Sequence, residues 1–230
     1  MAPRAMLAEL TAAFTARGPH TVVLESAGGV DVARRVRDGE AFDVVALAED
    51  AVAALSASGH LLANSTRPLA RSAVAVAVRA GAARPDVGTE EAVRRGVRAA
   101  RSLGVSTGPS GTAVLQLFER WGLATELRPR TVTAPPGVPV GTLVASGEVE
   151  LGFQQLSELA HLDGVDVVGT LPPPIEIVTT FTAGVGAASR QPEAGRTLLA
   201  FLTSPAADDT IRRHGMEPAR TITGAESPDR

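Results

Sequence analysis

The chain has 230 residues, with 22 basic and 25 acidic side chains and a formal charge of −3, a length that suits one domain or two lobes of about 100 residues each. The charges are interspersed with no basic stripe and no long charge run, so no nucleic-acid partner is expected. Cysteine, lysine and tyrosine are absent, which removes disulfides, thiolate metal sites, Schiff-base chemistry and the P-loop lysine, and leaves carboxylate recognition to arginine or backbone donors. No run of about 18 apolar residues occurs, so no membrane insertion is expected. Residues 1–20 lack the continuous apolar segment of a secretory signal, and as written the chain reads as cytoplasmic.

Met6, Leu7, Leu10 and Phe14 at helical spacing predict an opening helix that stops at Gly18-Pro19. A buried strand is expected at 21–25, then the small-residue loop Ser26-Ala27-Gly28-Gly29 and a helix with Val32, Ala33 and Val36 that ends at Gly39. A strand at 43–47 leads into a helix over 49–58, closed by Gly59. Residues 72–79 form a long alternating strand of small residues, suited to passing between two lobes. A helix over 90–100 and a strand to Ser106 precede the most informative loop, Gly108-Pro109-Ser110-Gly111-Thr112. It opens into a helix carrying Val114, Leu115, Phe118 and Trp121, stopped by Gly122. The first-turn N–H groups of such a helix lack intrahelical acceptors and sit at the positive end of its dipole, an arrangement that holds an anion. The alternative is that Ser110 or Thr112 only caps the helix.

Beyond this lie a strand at 131–133, a proline-glycine loop containing Val138, a short helix with Leu143 and Val144, and Gly147. A strand over 148–153 then ends in Gln154-Gln155. A helix over 156–162, a strand at 165–168 and the turn Pro172-Pro173-Pro174 lead to a second long strand, 175–183. Residues 184–189 superficially approach a dinucleotide fingerprint and read as a hinge turn. Helices over 193–203 and 206–213 close the fold, and residues 220–230 read as a flexible tail. Alternating strands and helices imply parallel sheets, with ligands beyond the carboxyl ends of the strands. His20, His60, His161 and His214 are scattered without metal-ligand spacing, so no metal and no cofactor are expected. Arg4 and Arg71 are the arginines considered as ligand partners. Glu25, at a strand end, is a carboxylate more suited to a salt bridge than to catalysis, and catalytic residues are not identified.

In the order of its opening helix, the loop before Val32-Ala33-Arg34-Arg35-Val36, the strand Asp43-Val44-Val45, the loop Gly108-Pro109-Ser110-Gly111 and Glu150-Leu151-Gly152-Phe153-Gln154, the chain resembles the type 2 periplasmic-binding-protein fold. Within it, the chain is similar to molybdate-binding solute-binding proteins and their aconitate isomerase offshoot. The resemblance covers residues 1–219. It implies an α/β, two-lobed fold, each lobe a mainly parallel sheet flanked by helices, joined by two crossing strands. Lobe I would comprise 1–75 plus 178–219, and lobe II 76–177. A monomer is expected, with a small anionic ligand, an oxyanion or organic carboxylate, held in the cleft.

Carried onto this sequence, the ligand-binding set is Arg4, Ser26, Gly28, Gly29, Ser110, Gly111, Thr112, Val138, Gln154 and Gln155. The family's molybdate hydroxyls and tyrosine are replaced here by glycines and by Gln155, which suits a carboxylate better than a compact tetrahedral anion. The same scaffold carries an isomerase reading, in which an unsaturated polycarboxylate such as aconitate shifts its double bond by proton transfer. The family also implies a strand before the first helix, where this chain opens directly at the loop. Either this sheet is altered or the start lies upstream, in which case a signal peptide, a periplasmic or extracellular location and an ABC transporter partner follow.

Overall fold

The computed structural model describes residues 2–220. The first helix, α1 (Arg4–Thr15), buries Met6, Leu7 and Leu10. α2 (Gly29–Arg37), β1 (Val44–Ala48), α3 (Glu49–Ala57) and the long strand β2 (Arg67–Arg79) follow. Gly39 at φ +88° and Gly59 at φ +75° end their helices in the left-handed region that glycine adopts without strain.

The expected strand at 21–25 does not form. That segment has no regular structure, and its Val23 is 85% exposed. Its β-branched residues favour extended backbone, but a strand also needs a ladder partner. β1, the outermost strand of its sheet, pairs with β7 alone.

The second half runs α4 (Glu90–Ala99), β3 (Leu103–Val105), α5 (Pro109–Arg120), α6 (Ala124–Leu127), β4 (Thr131–Thr133), α7 (Val140–Ser146), β5 (Leu151–Gln155), α8 (Leu156–Leu159) and β6 (Val165–Thr170). β7 (Val178–Val185), α9 (Pro192–Leu202), α10 (Asp208–Arg213) and the short β8 (Glu217–Pro218) complete the chain. α8 is shorter than expected, and β5 extends through Gln155, so both glutamines belong to the strand. Gly184 and Val185 lie within β7, and a Cβ on Gly186 would come within 2.1 Å of the Phe42 carbonyl oxygen. The run 184–189 is therefore the outer end of β7 followed by a turn closed by Ser189 N–H to the Gly186 carbonyl. Arg220 is ion-paired to Asp208, while the rest of the expected tail lies outside the described residues.

β2 organises the molecule. Residues 67–73 pair antiparallel with β7, and Ala70 and Arg71 also pair with β8. From Val74 onward the same strand pairs antiparallel with β5 on one side and β6 on the other. β3 lies parallel to both β4 and β5. The parallel arrangement thus holds for β4-β3-β5, while every pair made by β2 or β7 is antiparallel.

One core packs α4, α5 and α6 against Val74, Val76, Leu103, Val105 and Phe153. Another packs α1, α9 and α10 against Phe181, Ala183 and Val185. α7 approaches the second sheet closely, since a Cβ on Gly152 would lie 2.5 Å from Val144 Cγ2 and 3.1 Å from Val140 Cγ1. Gly152→Ala is accordingly expected to destabilise the fold by about 1–3 kcal/mol through overpacking. Gly18, where an added Cβ would meet no atom within 4 Å, serves as the control, and urea denaturation of the two alanine variants measures the difference.

Candidate functional site

The strand registers fix where the site lies. Val74 faces Gln155 across β2 and β5, so the carboxyl end of β5 is at the point where β2 crosses. β3 and β4 run parallel to β5 and end at the same level. From the other half, Ala48 at the end of β1 pairs with Phe181, near the start of β7, so β1 also points toward the crossing. The carboxyl ends of β1, β3, β4 and β5 therefore converge on one gap, as expected for ligand sites in open α/β sheets.

α5 opens on this gap. Its N-cap is Gly108, with no side-chain cap, so neither Ser110 nor Thr112 caps the helix. Gly111 is required by contact: a Cβ there would sit 1.8 Å from the Ser106 carbonyl oxygen. Pro109 has no N–H, and the first intrahelical bond runs from Thr112 N to Gly108 O at 3.1 Å. The donors open to a ligand are thus the N–H groups of Ser110 and Gly111. The Thr112 N–H is engaged by Gly108 O, and its hydroxyl lies 3.5 Å from the same carbonyl. Ser110 is buried, with its Oγ 3.1 Å from Ser106 Oγ. Ser106 was missed in the sequence, although its position at the end of β3 is the signal that could have found it.

The two glutamines have different roles. Gln154 Oε1 accepts from Gly141 N at 3.3 Å and so caps the start of α7. Gln155 Nε2 donates to Thr179 Oγ1 at 2.6 Å, while its Oε1 is buried without a hydrogen-bond partner. Beside them, Ser72 Oγ lies 3.2 Å from Ser157 Oγ. Ser72 and Thr179 are brought together by the β2–β7 register, and Ser157, two residues past Gln155 on α8, reaches Ser72 from the other side. Val138 is exposed in the loop before α7, and its N–H is bonded to Pro135 O.

On the opposite side, Gly28 caps α2 and Gly29 begins it; both are exposed, and a Cβ on either would make only ordinary contacts. Ser26 and Arg4 are also exposed. α3 starts directly after β1 with Glu49 and Asp50 in its first turn, which puts exposed carboxylates at the gap. Glu25 is 2.8 Å from Arg35, the salt-bridge role its position suggested. Glu150, held below the usual carboxylate range by the backbone N–H and guanidinium of Arg101, precedes β5 at the end away from the gap. Among the described residues no group of three His, Cys, Asp or Glu could hold a metal ion, and no helix is long and apolar enough to cross a membrane.

A family model described as a bacterial extracellular solute-binding protein matches residues 1–217. The chain belongs to this family. A small solute is the partner that membership implies. An aconitate isomerase from Pseudomonas sp is 36% identical over 188 residues, covering 81% of this chain and 71% of that protein. Among solved structures, the periplasmic molybdate-binding protein of Azotobacter vinelandii matches with a TM-score of 0.77 at 21% identity, covering 95% of this chain and 96% of the other. Peb3 from Campylobacter jejuni matches with a TM-score of 0.68 at 12% identity, covering 94% and 96%. These likenesses establish the two-lobed α/β fold of periplasmic binding proteins for this member of the solute-binding family.

Because the Gly111 contact is with backbone, Gly111→Ala must displace the loop between β3 and α5. The expected outcome is loss of any ligand-induced rise in melting temperature. Gly18→Ala, away from the gap and with no atom within 4 Å of a Cβ, should retain that rise.

Proposed function

We propose that this solute-binding protein captures an organic polycarboxylate in the cleft between lobe I, residues 1–75 with 178–219, and lobe II, residues 76–177. The boundary is supported by β2, whose partners change between Ala73 and Val74. The observation that carries the ligand reading is the start of α5, where the free N–H groups of Ser110 and Gly111 meet the ends of β3, β4 and β5. A carboxylate there receives two backbone donors at the positive end of a helix dipole and a hydroxyl from Ser106 or Ser110. From lobe I, Arg4 offers a guanidinium, with Ser26, Gly28 and Gly29 leaving room for a ligand larger than a tetrahedral oxyanion. Gln154 and Gln155 line the floor. If the protein is exported, its partner is the membrane component of an ABC transporter and its location is periplasmic or extracellular.

The 36% identity with an aconitate isomerase favours a second reading, in which the bound polycarboxylate is also turned over. Migration of a double bond in such a substrate removes a proton from one carbon and delivers one to another, through a charge delocalised onto the adjacent carboxylate. The α5 start would stabilise that charge, and Glu49 or Asp50 would be the base, being carboxylates at the end of β1.

The deciding measurement is a competitive titration of molybdate, tungstate and di- and tricarboxylates, followed by NMR of each ligand that binds. Binding of a tricarboxylate such as aconitate in preference to molybdate is expected, and Ser110→Ala should weaken it by about 1–2 kcal/mol. Nanomolar molybdate binding with no response to any carboxylate would overturn both readings. An isomerised ligand, with turnover lost in Glu49→Gln or Asp50→Asn, selects the enzyme; an unchanged ligand selects the receptor.

A further inference from the structure

α8 follows Gln155 without a break, and its neighbours include groups from the other lobe. Ser157 Oγ meets Ser72 Oγ. Gly215, at φ +69°, comes so close that a Cβ on it would lie 3.2 Å from Leu156 Cγ and 3.4 Å from Ser157 N. Just past the helix, His161 Nε2 is 3.0 Å from the Arg213 carbonyl oxygen. The His161 ring also meets His214 edge-on, with centroids 5.7 Å apart and planes at 79°.

The far side of this contact is anchored in lobe I. Glu9 of α1 accepts from Thr210 and from Arg213, and lies 2.9 Å from His214 Nε2. β8 pairs with Ala70 and Arg71 of β2, and Ile211 and Met216 are buried in the core beneath α1. α8, by contrast, rests on Ala75 and Ala77 in the second half of β2 through Leu159.

We propose that the turn after α10, seated on α8 and His161, is a third joint between the lobes, beside the two crossing strands. His161 acts there as a positioning residue that sets the lobe angle. Two neighbouring strands can twist and bend together, whereas a contact carried by separate helices restricts rotation about them. One hydrogen bond and one ring contact bias the populations of two lobe angles by roughly threefold to tenfold. The effect on affinity follows, because a ligand that needs both lobes binds only the competent angle. That consequence rests on the cleft reading above, while the joint itself does not.

The chain has no cysteine, so two introduced ones can be spin-labelled without background. Glu193 in lobe I and Arg101 in lobe II have side chains 84% and 89% exposed and suit Glu193→Cys and Arg101→Cys. In the unliganded protein, His161→Ala is expected to broaden or shift the distance distribution. His161→Gln, whose amide N–H can reach the same carbonyl, should retain the original one. Aconitate affinity should change in the alanine variant and recover in the glutamine variant. If His161→Ala does not fold, Ser157→Ala tests the same seam. Distributions identical to the parent in the folded alanine variant would overturn the joint. Altered distances with no carboxylate binding by the parent would leave the joint standing and overturn the ligand reading instead.

Discussion

Over its first half β2 bonds to β7 and β8, and over its second half to β5 and β6, so a single strand belongs to both lobes. Val74, Ala75, Val76 and Ala77 have no exposed surface, and helices or neighbouring strands cover them on every side. Small and β-branched residues satisfy this constraint, because they fit a ladder packed on both faces. The register that follows turns the carboxyl ends of β1, β3, β4 and β5 toward one another. The cleft is thus a consequence of how β2 is paired.

Within that frame the proposed site offers backbone donors more than side chains. The Ser106 carbonyl and Gly111 are pressed together, the helix N-cap is a glycine, and the two free amides of α5 lie at its open end. Preorganised amides need no ionisable partner and lose no side-chain entropy on binding. This fits a chain with neither lysine nor tyrosine. The perturbed carboxylates Glu9, Glu40 and Glu150 are each lowered by arginine or histidine neighbours in surface ion pairs. They hold elements together at the periphery.

Much of this was legible in the sequence because it is local. Gly39, Gly59, Gly122 and Gly147 each end a helix at positive φ, and each interrupts an apolar periodicity. The loop before α5 was equally visible, as a short strand followed by small residues and an amphipathic helix. Non-local facts were not. Residues 21–25 have strand composition, but whether a strand forms depends on a ladder partner. That the Thr112 N–H makes the first bond of α5 follows from a helix start at Pro109, one residue earlier than Ser110. The bond between Gln155 and Thr179 joins residues 24 positions apart, and no spacing rule predicts it.

The central claim is that a carboxylate ligand is held at the start of α5 and the end of β5, in the gap to which the strands point. Hydrogen–deuterium exchange, with and without a saturating tricarboxylate such as aconitate, tests it most directly. Slowed exchange is expected at the amides of Ser110 and Gly111 and around Gln154 and Gln155, with little change at Glu150 at the opposite end of β5. Protection confined to other surfaces, or none at these amides, would contradict it.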